Sequence, residues 1–248
     1  MVFGFRMQWA IGLVVALFMV SCTAGATDPD PAAAPAESAE STEVAAAPAP
    51  EGLVRLEGTA TIEFLINGER ILVNVDGTQA PITAGNFVDL VERGVYDGTV
   101  FHRVVREPQP FVVQGGDPQS KDPSVPVQQL GTGGFVDPET QEKRLIPLEI
   151  TPEGSDQPIY GQTFESAGES AQPALQHTHG AVAMARSQFP DSASAQFYFA
   201  LADLPFLDGS YAVFGYVAEG LEVVDAIQQG DVIESAQVIE GLDNLVTE

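Results

Sequence analysis

The sequence predicts an all-β fold, a closed antiparallel barrel capped at its ends by two helices. Three observations carry that expectation. From about Leu53 onward, apolar and polar residues alternate with a period of two in many short runs. Only two stretches show helical spacing, too few to cover both faces of a parallel sheet. No repeat of solenoid length is visible.

Ala60, Ile62 and Phe64 alternate with Thr59, Thr61 and Glu63, Asn67-Gly68 punctuates the run, and Ile71, Val73 and Val75 resume it. This is a hairpin pattern, because Asn-Gly accepts the positive φ that a two-residue turn demands. Pro81 then opens a helix in which Phe87, Leu90 and Val91 share one face, and Gly94 stands where a left-handed stop is expected. Further strands are expected at Thr99 to Val105, Phe111 to Gln114, Gly180 to Ala185, Gln196 to Leu201, Tyr211 to Val217 and Val232 to Ile239. A second helix, Glu219 to Gln229, separates the last two and carries Val223 and Ile227 one turn apart. Gly115 to Gln172 differs. Rich in Gly, Pro, Gln and Asp and broken only by Leu145 to Ile150, it reads as a long excursion over the surface.

The residues before Leu53 obey other rules. After Arg6, the apolar run Trp9 to Val20 has the length of a signal-peptide core and falls short of the ~20 residues of a membrane span. Met19-Val20-Ser21-Cys22 resembles a lipobox, with Met19 in place of the usual Leu, so residues 1–22 are expected to be a signal peptide ending at a lipid-attachment site, Cys22. Cys22 is the single cysteine, which excludes an internal disulfide and a catalytic thiol in the folded part. The rival outcome is cleavage after Ala24-Gly25-Ala26, releasing a soluble protein. Residues 23–52 are Ala, Pro, Glu, Ser and Thr with few large apolar side chains, too little buried surface to offset ordering, and read as a disordered tether. Residues 53–248 form the single folded domain.

Charge excludes some functions. With 35 acidic against 10 basic side chains the net charge is -25, which repels phosphate backbones, so no nucleic acid partner is expected. Anionic lipid surfaces are repelled too, so membrane association would need the anchor at Cys22. No nucleophile elbow, P-loop, dinucleotide fingerprint or H-E-x-x-H is present. His177-Thr178-His179 could offer two imidazoles on one face, yet no Cys or further His lies nearby in sequence, and a polar turn before a strand explains the pair as well. No metal and no cofactor are therefore expected; a monomer is the expected state.

The segment that stands out is Phe101-His102-Arg103-Val104-Val105, followed by Phe111-Val112-Val113-Gln114-Gly115-Gly116-Asp117. An arginine alternating with bulky apolar residues points to one face of a sheet, where it is either an ordinary rim residue or a functional one. With Gly180 to Arg186, Gln196 to Phe199 and Phe206 to Gly215, these segments make four motifs in one order, and the chain from about Leu53 onward resembles the cyclophilin family. Gly134 to Pro138, Ile146 to Ile150 and Gly230 to Ser235 are similar to segments of cyclophilins from cyanobacteria and other photosynthetic organisms, including thylakoid-lumen members.

The resemblance implies an eight-stranded closed antiparallel barrel capped by two helices, a long surface insertion, and peptidyl-prolyl cis-trans isomerase activity. Arg103 falls on the family's catalytic arginine, with His102 beside it. Phe111 matches the aromatic at the base of the proline pocket, Val112 a position often Met, and Gln114 the polar groove residue. Ala185, Tyr198, Phe206, Leu207 and Tyr211 fall on the remaining substrate-binding positions. The implied partners are X-Pro-containing polypeptides, and the implied location is outside the cytoplasm: a membrane-anchored lipoprotein, or a soluble protein of a periplasm or thylakoid lumen. A non-catalytic proline-peptide-binding or assembly module on the same fold is the alternative. The chain departs from the family at Phe206, where many members carry Trp, at Tyr198 for Phe, at Tyr211 for His, at Arg186 for Asn, and in the seven residues between Arg103 and Phe111.

Overall fold

The computed structural model describes residues 50–247; Cys22, the apolar run before it and all of the tether but its last three residues lie outside them. The strands Thr59–Ile66 (β1) and Glu69–Asp76 (β2) form the expected hairpin. Ile66 pairs with Glu69, leaving Asn67 (φ 54°) and Gly68 (φ 73°) as its two turn residues. Both need positive φ, and Asn and Gly supply it at little cost.

The helix α1, Pro81–Glu92, follows, with Pro at its first turn and Ala80 at the N-cap. Ala80 has no side chain able to cap. The carboxylate of Glu149 does so from 67 residues away, accepting from Ile82 N at 3.1 Å and Thr83 N at 2.7 Å. Glu149 is buried, which pushes its pKa upward against the pull of those two amides. The helix ends in the expected left-handed stop, as Gly94 (φ 64°) donates to Val91 O and Val95 to Leu90 O.

Arg103–Val105 (β3), Val112–Gly115 (β4), Ala181–Met184 (β5), Phe197–Ala200 (β6), Val213–Glu219 (β7) and Ile233–Glu240 (β8) complete one antiparallel sheet in the order β8-β1-β2-β7-β5-β6-β4-β3. The expected closure is corrected here. The sheet curls into an eight-stranded half-barrel, but its edge strands β3 and β8 share no ladder. β3 is only three residues long, so contact passes to the irregular stretch before it: Val100 bridges Val232, and Phe101 and Asp231 share a backbone bond of 2.9 Å.

Two further helices are short. Phe164–Ala167 (α2) is one turn between the Thr163 cap and Gly168, and Leu221–Ala226 (α3) is shorter than the expected Glu219 to Gln229. Gly220 at φ 82° starts α3 late, and Ile227 leaves it in an extended conformation.

Inside the curl, Phe64, Phe87, Tyr96, Phe101, Phe197, Phe199 and Phe214 are fully buried against one another. Their rings meet mostly tilted or edge-on, with Phe87 and Phe214 4.7 Å apart and Phe197 and Phe199 5.5 Å apart at 86°. The long segment after β4 is tied down more firmly than its composition suggests. Glu149–Ile150 pairs with Ile159–Tyr160, and Leu148, Ile150, Phe164 and Ala212 make a small core of their own.

Candidate functional site

The register of four strands builds the site. Arg103 lies opposite Gln114, Gln114 opposite Tyr198, and Tyr198 opposite Ala183, so one row across β3, β4, β6 and β5 faces outward. The neighbouring row, Val113 and Phe199, faces the aromatic core. Directly opposed residues share a face, which is why a single period-two reading assigns both rows at once.

Arg103 Nη1 donates to Gln114 Oε1 at 3.2 Å, and its guanidinium carbon stands 5.5 Å from the centre of the Phe111 ring. Phe206, 69 % exposed, stacks on the same ring at 6.0 Å and 19°. The residues between Arg103 and Phe111 close the hairpin outward: Glu107 to Pro110 are exposed, and Phe111 N donates to Val105 O at 3.0 Å. Arg103 therefore keeps its place over the pocket despite the lengthened loop.

A groove of about 250 Å³ runs along this face. It gathers Arg103, Phe111, Val112, Gln114, Ala185, Tyr198, Leu207 and Tyr211 from the sequence-derived set and adds Arg186. Two expected residues stand apart from the lining. Phe206 forms an exposed rim, and buried His102 turns beneath Gly131, where an added Cβ would come within 3.2 Å of its Nε2. Burial lowers the pKa of His102, with Asp117 acting in the opposite direction.

Several supporting contacts escaped the sequence reading. Gln114 Nε2 donates to Gln196 Oε1 at 3.1 Å, and Gln196 Nε2 to Gly133 O at 2.8 Å. Buried Asp117 accepts from Gln119 N, Gly131 N and Gly133 N, and a Cβ on Gly133 would lie 2.0 Å from its Oδ1. Arg186 donates from Nε and Nη2 to Ser210 O and lies 4.6 Å from the centre of the Tyr211 ring, pinning the far wall. The signal was faint: Asp117 and Gln196 stood at the ends of motifs, without a partner visible in sequence.

The two histidines of the His-Thr-His turn go separate ways. His177 meets Asp208 and Tyr198, and His179 meets Asp225.

The fold and site together define a class: curled antiparallel β proteins with an arginine at the edge of an outward-facing groove. The chain belongs to the cyclophilin family, as residues 61–244 match the model described as "Cyclophilin type peptidyl-prolyl cis-trans isomerase/CLD". It is 44% identical over 206 residues to a protein of Synechocystis named as a thylakoid lumen peptidyl-prolyl cis-trans isomerase, covering 78% of this chain and 50% of that one. It is also 44% identical over 181 residues to the chloroplastic peptidyl-prolyl cis-trans isomerase CYP38 of Arabidopsis thaliana, covering 69% and 38%. The chain thus spans half or less of the length of these two relatives. A crystal structure of a Cryptosporidium parvum cyclophilin shares the fold with a TM-score of 0.54 at 21% identity, covering 73% of this chain and 98% of that one.

Proposed function

We propose that the protein is a peptidyl-prolyl cis-trans isomerase acting on exported or lumenal polypeptides, with Arg103 as the catalytic group. The observation that carries this reading is the placement of Arg103 beside Gln114 at the edge of a groove walled by Phe111, Val112, Tyr198 and Leu207. Among the described residues, Nη1 is the only guanidinium nitrogen of Arg103 with a hydrogen-bond acceptor. The rest of the fork is available to a ligand.

Rotation about an amide C–N bond is opposed by ~18–20 kcal/mol of resonance. In the twisted state the prolyl nitrogen loses conjugation, becomes pyramidal and gains a lone pair. A guanidinium N–H aimed at that nitrogen stabilises the twisted state more than the planar one, and that difference is what accelerates the reaction. Arginine suits the role because it stays protonated. No covalent intermediate and no cofactor enter. Phe111, Val112, Tyr198 and Leu207 grip the proline ring while Gln114 holds the backbone beside it.

The two relatives named as lumenal and chloroplastic support an action outside the cytoplasm, and the leader read from the sequence would end in an anchor at Cys22 or in release after Ala26. Mass analysis of the mature N-terminus decides that point: a diacylated Cys22 gives a large mass increment, and a chain starting at Thr27 rejects the anchor. Isomerisation of a short X-Pro peptide, followed with wild type and Arg103→Ala, tests the activity. No wild-type acceleration returns the protein to the peptide-binding module, and equal rates remove Arg103 from the mechanism.

A further inference from the structure

His177 lines no part of the groove, yet it is bonded to both elements that form the groove's walls. We infer that His177 is a positioning residue for the X-Pro groove, holding Tyr198 of β6 and the loop 204–208 in one fixed relation. The histidine side chain is fully buried. Its Nδ1 lies 2.7 Å from Asp208 Oδ1, and its Nε2 lies 2.9 Å from Tyr198 Oη. Its backbone amide donates to the same Asp208 oxygen at 2.8 Å, and its carbonyl accepts from Leu204 N at 2.7 Å. The loop held in this way carries Phe206 and Leu207 and leads into Tyr211, whose ring meets Tyr198 edge-on at 6.2 Å.

Chemistry fixes the direction of each bond. An ionised carboxylate only accepts, so the hydrogen of the neutral ring sits on Nδ1 and points at Asp208. Nε2 is then an acceptor, and the Tyr198 hydroxyl donates to it. Both ring nitrogens of His177 and the Tyr198 hydroxyl have a partner, and none of the three residues carries a buried polar side-chain atom without one, so the network stiffens the elements it joins. The phenylalanine common at this position in the family would leave Nε2 buried without a donor. The proline ring is held by contact with both walls, so loosening one against the other weakens binding. Arg103 sits on β3, outside these bonds, and its effect on the twisted amide is left alone.

The inference rests on the isomerase reading, so binding and turnover are measured separately: Kd for a short X-Pro peptide by calorimetry, and kcat and KM for the same peptide. His177→Met fills similar volume without the polar pair. His177→Gln restores it, with an amide N–H for Asp208 and a carbonyl for the Tyr198 hydroxyl. His177→Met is expected to raise Kd and KM about three- to tenfold with kcat unchanged, the range lost with one or two buried hydrogen bonds. His177→Gln should return most of that loss. Tyr198→Phe should raise Kd to a similar degree, and adding His177→Met to it should cost little more. A folded His177→Met that binds like wild type overturns the inference, as does His177→Gln binding no better than His177→Met. If His177→Met does not fold, an unchanged Kd in Tyr198→Phe overturns it instead. A wild type that binds the peptide without accelerating its isomerisation refutes the isomerase reading and leaves the Kd comparison standing; one that does neither overturns both.

Discussion

The four residues of β6 present two faces of the sheet that are built on different terms. Phe197 and Phe199 enter a core of aromatic and aliphatic side chains where, apart from the Tyr96 hydroxyl donating to Ala195 O, the demand is one of shape. Tyr198, between them, enters a smaller outer cluster in which ring, hydroxyl and neighbouring loops must all agree. The inner face is secured mainly by burial. The outer face is secured by side chains arriving from segments far apart in sequence, and it remains open to a ligand. Stability therefore resides mainly in one face and selectivity in the other.

Substitutions that separate the two quantities break or sharpen this contrast. The largest effect is expected from Phe199→Ala, which should cost about 3–5 kcal/mol in denaturant unfolding because it leaves a ring-sized cavity in the inner core. Its kcat/KM, measured where the variant is still folded, should stay near wild type. Arg103→Ala is the mirror case: kcat/KM for an X-Pro peptide should fall about 10²-fold, the loss typical of removing one transition-state donor, with the unfolding midpoint unchanged. A parallel loss of stability there would erase the distinction between the faces.

Glu149→Ala belongs with the inner face although Glu149 lies in the long segment, since it strips the cap from the helix that covers the aromatic core. About 2 kcal/mol should be lost by chemical denaturation, with peptide turnover retained. Acid acts in the opposite sense, on groups beneath the groove. His102 and His177 both have pKa values lowered by burial, so the unfolded chain takes up protons that the folded one refuses. Their stabilising share is present above the unfolded value of about 6.5 and is lost as pH falls through it. Thermal melts from pH 8 to pH 5 should show that decline, reduced in His177→Gln. The smallest effect concerns the rim: Phe206 stands where the family resemblance implies a Trp that contributes to cyclosporin binding, so cyclosporin should inhibit weakly and Phe206→Trp should strengthen the inhibition. Submicromolar inhibition of the wild type sinks that expectation.

What could be read from the sequence follows the same division. Alternation in Ala60, Ile62, Phe64 and Ile66 marked β1 because burial imposes the period directly, and Asn67-Gly68 marked its turn because few residues accept that backbone. The groove residues were legible through a family resemblance, and the structure brings eight of them to one groove with Arg103 among them. Closure of the barrel was not legible, since it depends on whether β3 runs long enough to meet β8. Nor was the capping of α1 by Glu149, which joins residues 67 positions apart and leaves no periodic trace. Composition was also incomplete for Gly115 to Gln172. Its glycines and prolines read as a long excursion over the surface and gave no sign that Asp117, Leu148 and Ile150 anchor it.

Asp117 bears on how such a groove can be altered or moved. Hydrogen bonds run from its carboxylate through Gly133, Gln196 and Gln114 to Arg103, so the guanidinium inherits its aim from a turn outside the groove lining. Grafting only the lining residues onto another barrel would transplant the surface without its alignment. The smallest portable unit is the pair of strands together with the turn from Asp117 to Gly133, and any pruning of that turn should be felt first at the arginine.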